Sequence, residues 1–249
     1  MRIVELGTAH RDVIMLLHGG GLSWWNFRDA AAALAERYRV LLPVLNGHAD
    51  SEAAFSTIEC NASSLLSYID ACCGGKILAI GGLSLGGQIA AEMLAARPDF
   101  CKYAILESVA VIPDSMTGAL IAPVYSASFG LIKQNWFARL QFSYLRMPKP
   151  LFPEYYRDTC RICKDDMIAF LKASCAYEAK STLSRTKART LVVCGSREQR
   201  RIRNSAKLLQ QTIPDSCLRI MDGYHHGDLS LNHPQQYAEM MTKWLEDGR

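Results

Sequence analysis

The chain has 249 residues, 49% of them hydrophobic and 21% charged, with a net charge of +4. That much apolar sequence supports one sizeable core, and one domain with an insertion accounts for it better than two. So small a surplus argues against nucleic acid as a partner, because nucleic-acid binders concentrate more positive charge. Nine cysteines, an odd and scattered set, do not form the spacing of a secreted disulfide framework. Met1 to His10 lacks the apolar core of a signal peptide. No uninterrupted apolar run reaches the roughly 18–20 residues that span a bilayer. The expectation is a soluble chain in a reducing, cytoplasmic setting, as a monomer or homodimer, with no membrane span.

Short apolar runs alternate with helical patterns along the chain, which predicts a mostly parallel sheet with helices on both faces. Arg2–Leu6 reads as an antiparallel strand at the start. The parallel runs are Val13–Leu17, Arg39–Pro43, Ile77–Ile80, Tyr103–Leu106, Thr190–Cys194 and Cys217–Met221. Helices are expected near Phe27–Arg37, Ala53–Cys72, Ser84–Arg97, Ile202–Thr212 and Pro234–Glu246. Pro98 stops the third of these, and Asn232 is the expected N-cap of the last.

The alternation breaks between residues 111 and 185, which divides the chain into a core of residues 1–110 and 186–249 and an insertion of 111–185. The insertion holds ten Lys and Arg against six Asp and Glu, so it carries the whole net charge. It is rich in aromatic residues, among them Trp136, Phe142, Tyr144, Tyr155 and Phe170. An insertion after a central strand can cover the carboxyl edge of a sheet, where ligands bind in open α/β folds. Most of its aromatics are expected to form its own core.

Gly82-Leu83-Ser84-Leu85-Gly86 lies between the run Ile77–Ile80 and a helical stretch. A serine held in a strained turn between strand and helix needs glycine at both flanks, because side chains there would meet backbone. Such a turn raises Ser84 Oγ above the sheet. A serine hydroxyl stays protonated near neutral pH, so it needs a base, a group orienting that base, and donors for the oxyanion. His18-Gly19-Gly20-Gly21 follows Val13–Leu17 and can present bare amides; Gly20 and Leu85 are the expected oxyanion donors.

His225 and His226 follow the last apolar run. His226 is the chosen base, because Gly227 after it frees the ring to turn inward; His225 is the alternative. Glu198, just past Gly195-Ser196, is the chosen acid and completes the order Ser…acid…His, with Glu107 in reserve. His18 is expected to brace the glycine loop, and His10, His48 and His233 to lie on the surface or in turns. Cys160-x-x-Cys163 has no second pair to complete a zinc site and reads as ordinary helix cysteines.

These motifs, in this order at successive strand ends, make the chain resemble the α/β-hydrolase superfamily of serine hydrolases. The resemblance covers most of the chain, with residues 111–185 as the usual cap insertion. Pro43 to His48 is similar to the family's loop after the next strand, and Val193 to Glu198 to its acid-bearing turn. There the sequence departs from the pattern, with Glu198 where aspartate is more usual. The resemblance implies cleavage of an ester, thioester or amide bond of a small, partly apolar molecule through an acyl-enzyme, with no metal or organic cofactor. Two other readings stay open: a non-catalytic receptor for a small molecule on the same fold, and an acyltransferase or carbon–carbon hydrolase using the same triad. The positive insertion leaves open an anionic group on the substrate, and a solvated helix face explains that charge equally well.

Overall fold

The computed structural model describes residues 2–247. Strands β1 (Ile3–Leu6), β2 (Val13–Leu17), β3 (Arg39–Pro43), β4 (Ile77–Leu83), β5 (Cys101–Glu107), β6 (Arg189–Gly195) and β7 (Ser216–Met221) make one sheet in the order β1-β3-β2-β4-β5-β6-β7. Only β1 pairs antiparallel. The core helices are α1 (Arg28–Leu34), α2 (Ile58–Cys73) and α3 (Leu85–Ala96). The insertion then carries α4 (Ser115–Ile132), α5 (Asn135–Tyr144), α6 (Phe152–Arg161) and α7 (Lys164–Ala176). The core resumes with α8 (Arg200–Thr212), α9 (Asp228–Asn232) and α10 (Pro234–Glu246).

Strand pleating divides the core in two. Met15 and Leu17 of β2 and Ile80 of β4 join the cluster built with α2, α3 and α8. Ile14, Leu16 and Ala79 point the other way, into the cluster built with α1 and α10. Both faces of the sheet are therefore covered, which is why the central strands read as unbroken apolar runs rather than alternating ones.

This topology also positions the site. The chain goes from β2 to β3 on one side, then crosses to β4 on the other side of β2. The carboxyl ends of β2 and β4 thus diverge at a switch point of the sheet, with Leu17 paired to Gly82. The glycine loop and the serine turn leave the sheet side by side.

Three expectations change. Helix α2 begins at Ile58, not Ala53, because Thr57 caps it: its Oγ1 accepts the Cys60 N–H at 3.0 Å. The last helix is preceded by His233 at the N-cap rather than Asn232, which instead ends the short α9 and donates from Nδ2 to Asp228. Finally, α4 is 18 residues without a charged side chain and by length and composition could cross a bilayer. Small and polar residues, with Pro123 in mid-helix, hide this in the sequence by breaking up the apolar run. The helix packs against α7, yet only 11% of it is buried.

Candidate active site

Ser84 follows β4 with φ 51° and ψ −111°, a positive-φ backbone that a serine adopts only under constraint. The constraint is visible at its flanks. A Cβ on Gly82 would lie 2.5 Å from Gly86 O, and one on Gly86 would lie 2.2 Å from Leu17 O. The Ser84 N–H donates to Glu107 O at 2.9 Å, pinning the turn to β5. Helix α3 starts at the next residue with Ser84 at its N-cap, so the helix's unpaired first amides and positive dipole end lie at this turn.

The loop after β2 is held from three sides while its central amide stays free. Gly19 N–H donates to buried Asn26 Oδ1 at 3.1 Å, and Gly21 N–H to His48 Nε2 at 3.0 Å. The Leu45 N–H donates to His18 Nε2 at 3.1 Å, which leaves His18 Nδ1 to donate to Gly19 O at 2.9 Å. Gly20 and Leu85 N–H find no acceptor among the described residues. A Cβ on Gly20 would stand 3.6 Å from Leu85 Cβ, so the two backbones are close neighbours.

His48 is therefore in a turn, as expected, but it is not a surface group. It is buried and stacks on Phe170, ring centroids 4.6 Å apart. Burial pushes its pKa down to about 4. Burial, followed by the charge of His48, holds His18 well below the usual imidazole range. Both rings act as neutral braces.

The third cluster comes from strand ends β5, β6 and β7. His226 Nδ1 lies 2.9 Å from Glu198 Oε2, and that carboxylate is 1% exposed. Gly195 N–H and Ser108 Oγ both donate to Glu198 Oε1 at 2.8 Å. Gly227 follows His226 at φ 73°, and a Cβ there would lie 3.2 Å from a methyl group of Leu83, the residue before Ser84. The turn that carries His226 thus packs against the end of β4, next to the serine turn. No hydrogen bond joins it to Ser84 Oγ among the described residues.

The reserves sit differently. His225 pairs with Asp228, whose Oδ2 takes its N–H at 2.6 Å. Glu107 is buried at the end of β5, and its Oε1 accepts the Ser230 N–H at 3.1 Å. Desolvation raises its pKa to about 7, against the pull of Ser230. His10 lies in the turn after β1, and His233 stacks on Tyr224. Cys163 caps α7 by accepting the Asp166 N–H, and no metal-binding cluster occurs among the described residues.

Sequence reasoning passed over Ser108, Asn26 and the bracing role of His48. Ser108 lies in no motif; its only signal is its place directly after a central strand, at the edge where sites form.

A cavity of about 640 Å³ opens on Gly20 and Gly21. Leu22 and the insertion supply the rest of its wall, including Tyr125, Ile132, Tyr155, Met167 and Phe170, and no charged side chain among the described residues lines it.

Residues 14–240 match the alpha/beta hydrolase family. The chain belongs to that family. This family member resembles an esterase from Exiguobacterium antarcticum, with TM-score 0.83 and 17% identity over 98% of this chain and 94% of that one. It is similar to an enol-lactonase from Burkholderia xenovorans LB400, with TM-score 0.83 and 18% identity over 98% and 96%. At such identities the likeness shows the fold alone. The polyketide synthase ThaQ of Burkholderia thailandensis is 24% identical over 94% of this chain and 12% of its own length. The two curated relatives it matches are spanned over only 18% and 12% of their lengths.

Proposed function

We propose that this hydrolase is a serine enzyme that cleaves an ester-type bond next to an apolar, uncharged acyl group. Ser84 Oγ attacks the carbonyl carbon as His226 Nε2 takes its proton. Glu198 fixes the imidazole with its other proton on Nδ1 and stabilises the cation that forms. The Gly20 and Leu85 amides receive the oxyanion; in comparable enzymes losing one such donor costs about 3–4 kcal/mol of transition-state stabilisation. The tetrahedral intermediate collapses and expels the alcohol, which carries away the proton from His226. Water then attacks the acyl-Ser84 ester with His226 as base, and the acid leaves.

Two observations support this reading: the 2.9 Å contact between His226 Nδ1 and the buried carboxylate of Glu198, and a serine held at φ 51° in the turn after β4. A surface ion pair, the common fate of a glutamate near several arginines, does not describe a carboxylate sheltered by Gly195, Ser108 and an imidazole. The cavity wall favours a neutral apolar acyl group, because its lining offers a carboxylate no counter-charge. Ser84→Ala should lower kcat for p-nitrophenyl butyrate by about 10⁴-fold or more. Undiminished turnover in that variant ends the proposal.

A further inference from the structure

The insertion leaves a large apolar surface uncovered. Among the described residues nine large hydrophobic side chains are exposed, and eight of them lie between Met116 and Leu145. On α4, Met116, Leu120 and Val124 recur every fourth residue, and on α5, Trp136, Leu140 and Tyr144 do the same. Residues spaced by four share one helix face, so each helix carries an apolar stripe. Met116 is 82% exposed and Tyr144 83%. Patches of this extent on a soluble domain mark an interaction surface.

Charge selects the partner. Residues 115–151 contain Lys133, Arg139, Arg146 and Lys149 and no Asp or Glu. None of these four cations makes an ion pair with a carboxylate among the described residues. Lys133 and Arg139 instead lie over the rings of Phe129 and Phe152. Apolar stripes with tryptophan and tyrosine, flanked by unneutralised cations, match the boundary of an anionic lipid leaflet. The stripe on α5 also leads inward. Leu140, Tyr144 and Leu145 line the cavity that reaches Gly20, so the exposed surface continues into the proposed acyl site.

We propose that α4 and α5 dock this protein on anionic lipid surfaces, bringing the cavity mouth to the bilayer so that an apolar ester enters without crossing water. Docking itself is independent of the serine chemistry; that the docked substrate is an ester rests on the function proposed above.

Flotation with vesicles tests it, comparing phosphatidylcholine alone with about one-third phosphatidylglycerol. The full chain should float with the anionic vesicles at low salt, and the Trp136 emission should shift to the blue. Arg139→Gln, Arg146→Gln and Lys149→Gln together should cut partitioning by about a hundredfold, and high salt should mimic them. Leu120→Ser with Trp136→Ser should also abolish flotation while leaving turnover of a short soluble aryl ester unchanged, since neither residue lines the cavity. Failure of the unaltered protein to float, or flotation indifferent to both sets of substitutions, overturns the proposal. Ser84→Ala should float normally, so an enzyme that docks but never turns over would refute the serine chemistry and leave docking intact.

Discussion

Ser108 Oγ donates to Glu198 Oε1 at 2.8 Å and accepts the Gly227 N–H at 3.2 Å. One hydroxyl thus ties the proposed acid to the loop that carries the proposed base. Ser108 holds this position at φ 56°, outside the range that non-glycine residues favour. Such strain persists only where the surroundings enforce it.

Removing that hydroxyl should loosen both partners at once. Ser108→Ala is expected to lower kcat for an aryl ester by about tenfold or more with little change in KM, because a buried amide and a carboxylate oxygen each lose a partner worth about 1–3 kcal/mol. Ser108→Gly should show the same loss of kcat although glycine relieves the positive φ. Full activity in the glycine variant would assign Ser108 a purely conformational duty.

The sheet was legible because its strands are buried on both faces and announce themselves as runs such as Val13–Leu17. The serine turn was legible because a Cβ on Gly82 or Gly86 would strike backbone, a constraint that leaves its mark in the residue type. The partners of Glu198 were not. Gly195 contributes an amide, and Ser108 lies just after β5, 90 residues earlier in the chain than Glu198, so nothing local encodes either contact. His48 was missed for the same reason: its burial depends on Phe170, which belongs to the insertion. The apolar surface of α4 escaped notice because Gly118, Pro123 and Gly130 dilute the pattern.

The glycine at the start of α3 should tolerate nothing larger. Gly86→Ala places a methyl 2.2 Å from Leu17 O and 2.5 Å from His18 O, both of them backbone. Overpacking against an immobile main chain is expected to cost about 3 kcal/mol, read as a lower denaturation midpoint. An unchanged midpoint with unchanged activity would mean the turn is less crowded than described.

His48 makes stability fall in acid. Its folded pKa of about 4 lies below the ordinary 6.5, so the unfolded chain binds the extra proton first. Stability is therefore fully present above pH 6.5 and is lost as pH falls toward 4, by up to about 3 kcal/mol from this group. Denaturant titrations across that window should show a shallower decline for His48→Gln, whose amide can still accept from Gly21. An identical slope in both proteins would show that His48 does not set this acid dependence.

Glu107 acts in the opposite sense. Its folded pKa of about 7 lies above the ordinary 4.5, so the folded protein holds the proton where the unfolded chain has released it. Stability from this group is lost as pH rises from 4.5 to 7. Its Oε2 and the hydroxyl of Tyr237 are both buried without a hydrogen-bond partner among the described residues, which adds to the cost of ionising it. Glu107→Gln should raise the denaturation midpoint at pH 8 more than at pH 5, and turnover should survive because Glu198 holds His226. A larger loss of kcat from Glu107→Gln than from Glu198→Gln would make Glu107 the working acid.

The proposed chemistry turns on Ser84 acting as a nucleophile activated by the His226–Glu198 pair. Treating the protein with a fluorophosphonate and mapping the adduct by peptide mass tests it most directly. One adduct is expected, on Ser84, absent in Ser84→Ala and formed far more slowly in His226→Gln. A protein that stays unlabelled, or is labelled at another residue with Ser84 untouched, would contradict it.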